Sequence, residues 1–139
     1  MNNTPLYLGT VETARKAGEL SAWKESLQAN ILCRIAIENA IRRSFDGMHL
    51  DRDCAAQVLD EFGAERVKYV LAATLQEKDY DGRFSRDNKN WGAQTEVMPS
   101  IRNGEFVVQS HPAVLDGFIS QFREECQHQM HHGFVPAML

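Results

Sequence analysis

Apolar residues recur at the helical period through much of the chain. Val67, Val70, Leu71, Thr74 and Leu75 share one face of a three-turn helix, which commits that face to a core. Upstream, Thr10 to Phe45 is dominated by helix formers with Gly18 as the internal breaker, so a short helix followed by a long one is predicted. At about 100° per residue, Leu20, Trp23, Leu27, Ile31, Ile35, Ile41 and Phe45 form a broad stripe with Glu38 at its centre. Arg34 and Arg42 stand one turn either side of Glu38, where helical side chains meet. Either this triplet sits at the rim, its arginine stems covering apolar surface, or Glu38 is an inward anchor for the loop that follows. Asp46-Gly47 then marks a turn, and Asp51 is the expected N-cap of a helix carrying Cys54, Ala55, Val58, Leu59 and Phe62 inward. Gly63 is the expected left-handed terminator.

Beyond Gly92 the pattern turns extended. Asn103-Gly104 lies between two strand-like runs from Ile101 to Val108, a signal for a hairpin with a two-residue turn. Ser110-His111-Pro112 opens a last helix with proline at its first position, and Val114, Leu115, Phe118, Ile119, Phe122 and Cys126 form its inner face. The expected class is α+β: four or five helices around one core with a β-hairpin before the C-terminal helix. Residues 1–126 are expected to form one globular domain and 127–139 a C-terminal tail.

Between Glu77 and Trp91 the chain is at its most polar. Glu77, Asp79, Asp81 and Asp87 are matched by Lys78, Arg83, Arg86 and Lys89, with Tyr80, Phe84 and Trp91 among them. Such a neutral, charge-dense loop either closes on itself or presents its groups to a partner. Asp79-x-Asp81-Gly82 overlays part of a calcium loop, but the twelfth position is Asn88 where a bidentate glutamate is needed. Paired carboxylates at Asp79, Asp81 and Asp87 define an alternative, a metal-dependent phosphodiesterase or nucleic-acid-processing enzyme. Cys126, His128, His131 and His132 form the one metal-like cluster, read as a surface tail or a structural zinc site.

Charge sharpens the picture. From Asp46 to Glu65 six acids stand against the single base Arg52, a balance of −5 in a chain whose net charge is −4. The surplus of carboxylate is thus carried by one short stretch, either as a solvated helix face or as a docking surface for a basic partner. With 43% hydrophobic and 24% charged residues in 139, the composition fits one soluble domain and argues against a general nucleic-acid surface. Three scattered cysteines without a Cys-x-x-Cys pair fit buried reduced thiols. There is no glycine loop for phosphates, no serine elbow, no basic leader and no apolar stretch near ~18 residues. No cofactor, no metal, no catalytic residue and no membrane contact are expected, and the expected location is cytoplasmic.

The runs LQANILCRIAIENAI, FDGMHLD, EFGAERVKYVLAATLQEKDYDGRFSRDNKNWG and FVVQSHPAVLDGFISQFREE, between Pro5 and Glu125, resemble a domain family of unknown function found in proteins of bacterial conjugative and other mobile elements. Its signature is the loop from Asp79 to Trp91 followed by Ser110-His111-Pro112-Ala113-Val114-Leu115-Asp116. The resemblance carries no activity. It implies company in which accessory proteins protect the element from host defence, some by blocking RNA-guided CRISPR nucleases. The expectation is a protein-binding, anti-defence accessory factor, a stoichiometric anti-CRISPR inhibitor being its sharpest form. It would meet a basic protein partner, such as a CRISPR effector nuclease, through Asp51, Asp53, Asp60, Glu61, Glu65, Asp79, Asp81, Arg83, Arg86 and Trp91, without direct contact to nucleic acid.

Overall fold

The computed structural model describes residues 4–98 and 103–138, with side chains over 4–98 and 105–128. Its elements are α1 (Val11–Ala17), α2 (Leu20–Ser44), α3 (Cys54–Phe62), α4 (Ala64–Glu77), α5 (Arg86–Ala93), a 3-10 turn (Asn103–Phe106) and α6 (Pro112–Met138). Among the described residues the only β-type pairing is an isolated bridge between Phe45 and Leu50. The protein is all-helical, which corrects the expected α+β class and its hairpin.

α4 is the centre. Its sequence has no glycine or proline inside and is rich in strong helix formers. The expected face, Val67, Val70, Leu71, Thr74 and Leu75, is at most 1% exposed. Each of its large apolar side chains contributes about 1.5–3 kcal/mol by leaving water. Arg66, Tyr69, Ala72 and Ala73 on the other sides are buried as well, because α2, α3, α5 and the 3-10 turn all pack on this helix. A helix covered over most of its surface must pair every polar atom it buries.

That requirement explains the missing hairpin. Ile101 and Arg102, its first arm, lie outside the described residues, and Asn103 to Phe106 coil into the 3-10 turn. Phe106, Val107 and Val108 are buried as a strand would be, but side chains supply the pairing. The Val108 N–H donates to Thr74 Oγ1 at 3.0 Å, and its carbonyl accepts from Lys78 Nζ at 3.2 Å. The Gln109 N–H donates to Glu38 Oε2 at 2.7 Å. A segment satisfied by helix side chains needs no neighbouring strand.

α2 is rotated from its expected register. It buries Ser26, Ala29, Asn30, Cys33, Ile37, Ala40 and Ile41, whereas Ile35 and Phe45 of the expected stripe are 37% and 36% exposed. The face against the core consists largely of small residues that let backbones approach, plus two polar groups required by Arg66. The buried Arg66 guanidinium donates to the Ser26 carbonyl at 3.0 Å, to Asn30 Oδ1, and to the Thr4 carbonyl at 2.9 Å. Glu38 is an anchor, as one of the two accounts holds, but for the segment at Gln109 rather than the turn after α2. Its other oxygen meets Arg34 at 3.5 Å, while Arg42 turns to Asn39 Oδ1 at 2.8 Å.

The remaining helices follow their patterns more closely. Gly18 ends α1 in the left-handed region, at φ 73°. α3 buries Cys54, Ala55, Val58, Leu59 and Phe62 as expected, although it starts at Cys54, later than Asp51 suggests. Gly63 closes α3 and opens α4 at φ 85°, ψ 154°, an extended positive-φ conformation open essentially to glycine alone rather than the left-handed helical one. Pro112 begins α6, and His111 Nδ1 accepts the Ala113 N–H at 3.1 Å.

Thr74→Val keeps shape and volume but strips Val108 of its acceptor. We expect a loss of about 1–3 kcal/mol, read from the denaturant midpoint, with faster amide exchange at Val108. Thr74→Ser should restore both.

Candidate functional site

The acidic stretch divides into a turn and a helix. In the turn, Asp46 Oδ1 accepts the N–H groups of Met48 at 2.9 Å and His49 at 2.7 Å, and these bonds hold its carboxyl below the usual range. Asp51 Oδ1 accepts the Asp53 N–H at 3.1 Å, and its carbonyl accepts Gln121 Nε2 from α6 at 2.9 Å. On α3 and the start of α4, Asp53, Asp60, Glu61 and Glu65 are exposed. Among the described residues none of these carboxylates is in an ion pair. The opposite face of α3 is fully buried, so the acids cannot turn inward.

Asp53, Gln57, Asp60 and Glu61 recur at helical spacing along the exposed side of α3. Gln57 and Glu61 also line a groove of about 310 Å³ between α2 and α3, with Leu32, Ile35, Ala36, Val58 and Phe62 as its apolar part and Arg43 at its rim. An acidic wall therefore borders a furrow of mixed polar and apolar lining.

The polar segment after α4 behaves differently. Asp81 is 9% exposed and takes three bonds from Arg83: the backbone N–H at 2.9 Å, Nε at 3.0 Å and an NH2 group at 2.9 Å. This fork holds the Asp81 carboxyl down to about 2. Phe84 is buried. Ser85 then caps α5, its Oγ accepting the Asn88 N–H at 3.1 Å. The buried Asn88 donates to the Asp116 carbonyl at 3.1 Å, to Asp116 Oδ1 at 2.9 Å and to Ser120 Oγ at 3.2 Å, and accepts from Arg123 at 2.8 Å. Arg123 also meets Asp87 at 2.9 Å and lies over the Trp91 ring at 5.7 Å, and Trp91 meets Phe122 edge to face. Lys89 Nζ donates to the Asp79 carbonyl at 2.9 Å. Of the two options for this loop, closure on itself and on α6 accounts for Asp81, Arg83, Asp87 and Trp91. Arg86 and Tyr80 remain exposed, Tyr80 at 83%.

The sequence reading missed α5 and its receptors Asp116, Ser120 and Arg123. Their signal was present as three polar residues at i, i+4 and i+7, one stripe of the last helix beside its apolar face. Gly92 completes the fit, since a Cβ there would lie 2.7 Å from Leu75 Cδ1 on α4.

The carboxylates of the enzymatic alternative are not gathered, for Asp81 is bound to Arg83 and Asp87 to Arg123. Among the described residues no three His, Cys, Asp or Glu side chains could hold one ion. Of the C-terminal cluster, Cys126 is half-buried and His128 exposed, and the side chains of His131 and His132 lie outside those described. Burial pushes the Cys33 thiol up to about 12 and raises those of Cys54 and Cys126, which keeps all three protonated and poorly nucleophilic. No helix among the described residues is long and apolar enough to cross a membrane.

A family model described as a protein of unknown function, DUF3849, matches residues 6–127. The chain belongs to this family. The DUF3849 span takes in the acidic wall, the furrow and the whole α5–α6 lock. No curated protein and no solved structure matches the chain.

Because Arg83 depresses the Asp81 titration, the stability it confers is present above the ordinary carboxylate value near 3.8 and disappears as pH falls through about 2. Carboxyl NMR should place the Asp81 midpoint near the lower value, and Arg83→Met should return it toward the ordinary one. A midpoint indifferent to that substitution would show the fork to be inconsequential.

Proposed function

We propose that this DUF3849 chain is a protein-binding module that docks its acidic wall on a basic surface of a partner protein. The observation that carries this reading is the contrast between two sets of charges. Those of the segment after α4 are largely consumed within the molecule, whereas Asp53, Asp60, Glu61 and Glu65 stand in solvent outside any ion pair among the described residues. An uncompensated row of carboxylates raises association rates with a basic partner and rejects acidic ones. The furrow beside it offers Ile35 and Leu32 to an apolar ridge on that partner, and apolar contact supplies the affinity that surface charge alone lacks.

The setting we infer is a mobile genetic element, and the role an anti-defence factor acting by stoichiometric occupation rather than turnover. A groove built for nucleic acid, as in an RNA-guided nuclease, has the complementary charge. Asp51 extends the contact at its edge, and exposed Asp79 and Arg86, past the far end of α4, offer a separate point of contact.

The triple variant Asp60→Lys, Glu61→Lys, Glu65→Lys tests the wall. Exposed substitutions of this kind change stability by only about 0.5 kcal/mol each, so the melting temperature should stay near that of the parent. Capture of a basic partner from host lysate should be strong at low salt, weak at high salt and absent with the variant. Capture that survives the reversal, or ignores salt, would remove the wall from the interface.

A further inference from the structure

We propose that a second groove, between the C-terminal part of α2 and the start of α6, is a binding site for a small apolar carboxylate. The groove encloses about 660 Å³ and shares no lining residue with the acidic wall. That volume lies in the range of roughly 300–1,000 Å³ in which small-molecule sites fall. Its apolar surface comes from Ile41, Phe45, Ala113 and Val114. Phe45 remains 36% exposed, an unusual position for a phenylalanine and one that a bound apolar group would cover.

The polar groups around this surface include several open donors beside the hydroxyl and carbonyl of Ser110. Arg42 is exposed and spends one nitrogen on Asn39 Oδ1 at 2.8 Å, leaving the rest of its guanidinium available. His111 Nδ1 already accepts the Ala113 N–H at 3.1 Å, so the neutral ring carries its proton on Nε2. The Val114 N–H has no acceptor among the described residues. The one carboxylate in the lining, Glu38, is occupied by the Gln109 N–H at 2.7 Å and by Arg34 at 3.5 Å.

An apolar surface beside one exposed guanidinium and open N–H donors favours an occupant with an apolar body and an accepting, negatively charged head. A cation would face Arg42. An aliphatic or aromatic acid has an apolar body for Phe45, Ile41 and Val114, and a head that only accepts. Its carboxylate would gain charge-assisted bonds from Arg42 and the neighbouring donors.

Octanoate, octanol and octylammonium share one chain length and differ in the head group, so titration of the full chain with each separates body from charge. We expect octanoate to bind about tenfold or more tightly than octanol, the factor that a charge-assisted bond confers. It should shift the Ile41 and Val114 methyl resonances, and octylammonium should not. Arg42→Gln should weaken octanoate about tenfold while leaving octanol unchanged, and Ala113→Trp should block both. Arg42 and Ala113 are exposed, so neither change threatens folding, and the melting temperature checks this. Equal affinity for the three heads, shifts confined to other residues, or no octanoate binding at millimolar concentration would overturn the assignment.

Discussion

A helix buried over most of its surface has to find a partner for each polar atom it carries inward, and α4 does so by holding the irregular parts of the chain. Arg66 fixes the lead at Thr4. The Tyr69 hydroxyl accepts the Met98 N–H at 3.3 Å, and Gln76 Nε2 donates to the carbonyls of Gly92 at 3.0 Å and Thr95 at 2.8 Å. Thr74 and Lys78 grip Val108 from its two sides. The polar groups of α4 therefore act as sockets, and segments with no regular structure of their own take their shape from it. The net gain from each such bond is small, but a vacant socket would leave a buried group unsatisfied at about 1–3 kcal/mol.

This arrangement explains what the sequence revealed and what it concealed. The inner faces of α3, α4 and α6 were legible because large apolar residues repeat there at the helical period. α2 misled because its buried face is made of Ala29, Cys33 and Ala40 beside Ser26 and Asn30, while its bulkier Ile35 faces outward. Size-weighted periodicity points to the wrong side when the core requires close backbone approach and two oxygens for an arginine. The run from Phe106 to Val108 has the composition of a strand because it is buried like one. What distinguishes it is the identity of its hydrogen-bond partners, and those, Thr74 and Lys78, stand 34 and 30 residues away, on α4 and at its C-terminal cap. α5 was obscured by its charges, since a helix docked through Asn88, Asp87 and Trp91 shows little apolar period.

For the site, the acidic stretch was visible by simple counting, and its exposure follows from the burial of the other face of α3. The fate of the charged segment was not visible, because the decisive groups, Asp116, Ser120 and Arg123, lie on another helix. A balance of four acids and four bases is compatible with either outcome, and the geometry of one fork and one buried asparagine separates them. The carboxylates left over, Asp53, Asp60, Glu61 and Glu65, are exposed and outside any ion pair among the described residues. The groove beside Arg42 follows the same logic with the sign reversed, its one acid being consumed by Gln109 and Arg34.

Gly63 serves two helices at once. Its N–H closes α3 on the Leu59 carbonyl at 2.8 Å, and its own carbonyl accepts the Val67 N–H of α4 at 3.2 Å. A joint one residue long has no slack, and since α3 is also packed on α2 and α6, an extra amino acid there would have to be absorbed as strain at the point where the acidic wall passes from one helix to the next. Any effort to splice in a tag, split the protein or permute its ends is better directed to the turn around Met48, where the backbone is exposed and the helices on either side are held independently.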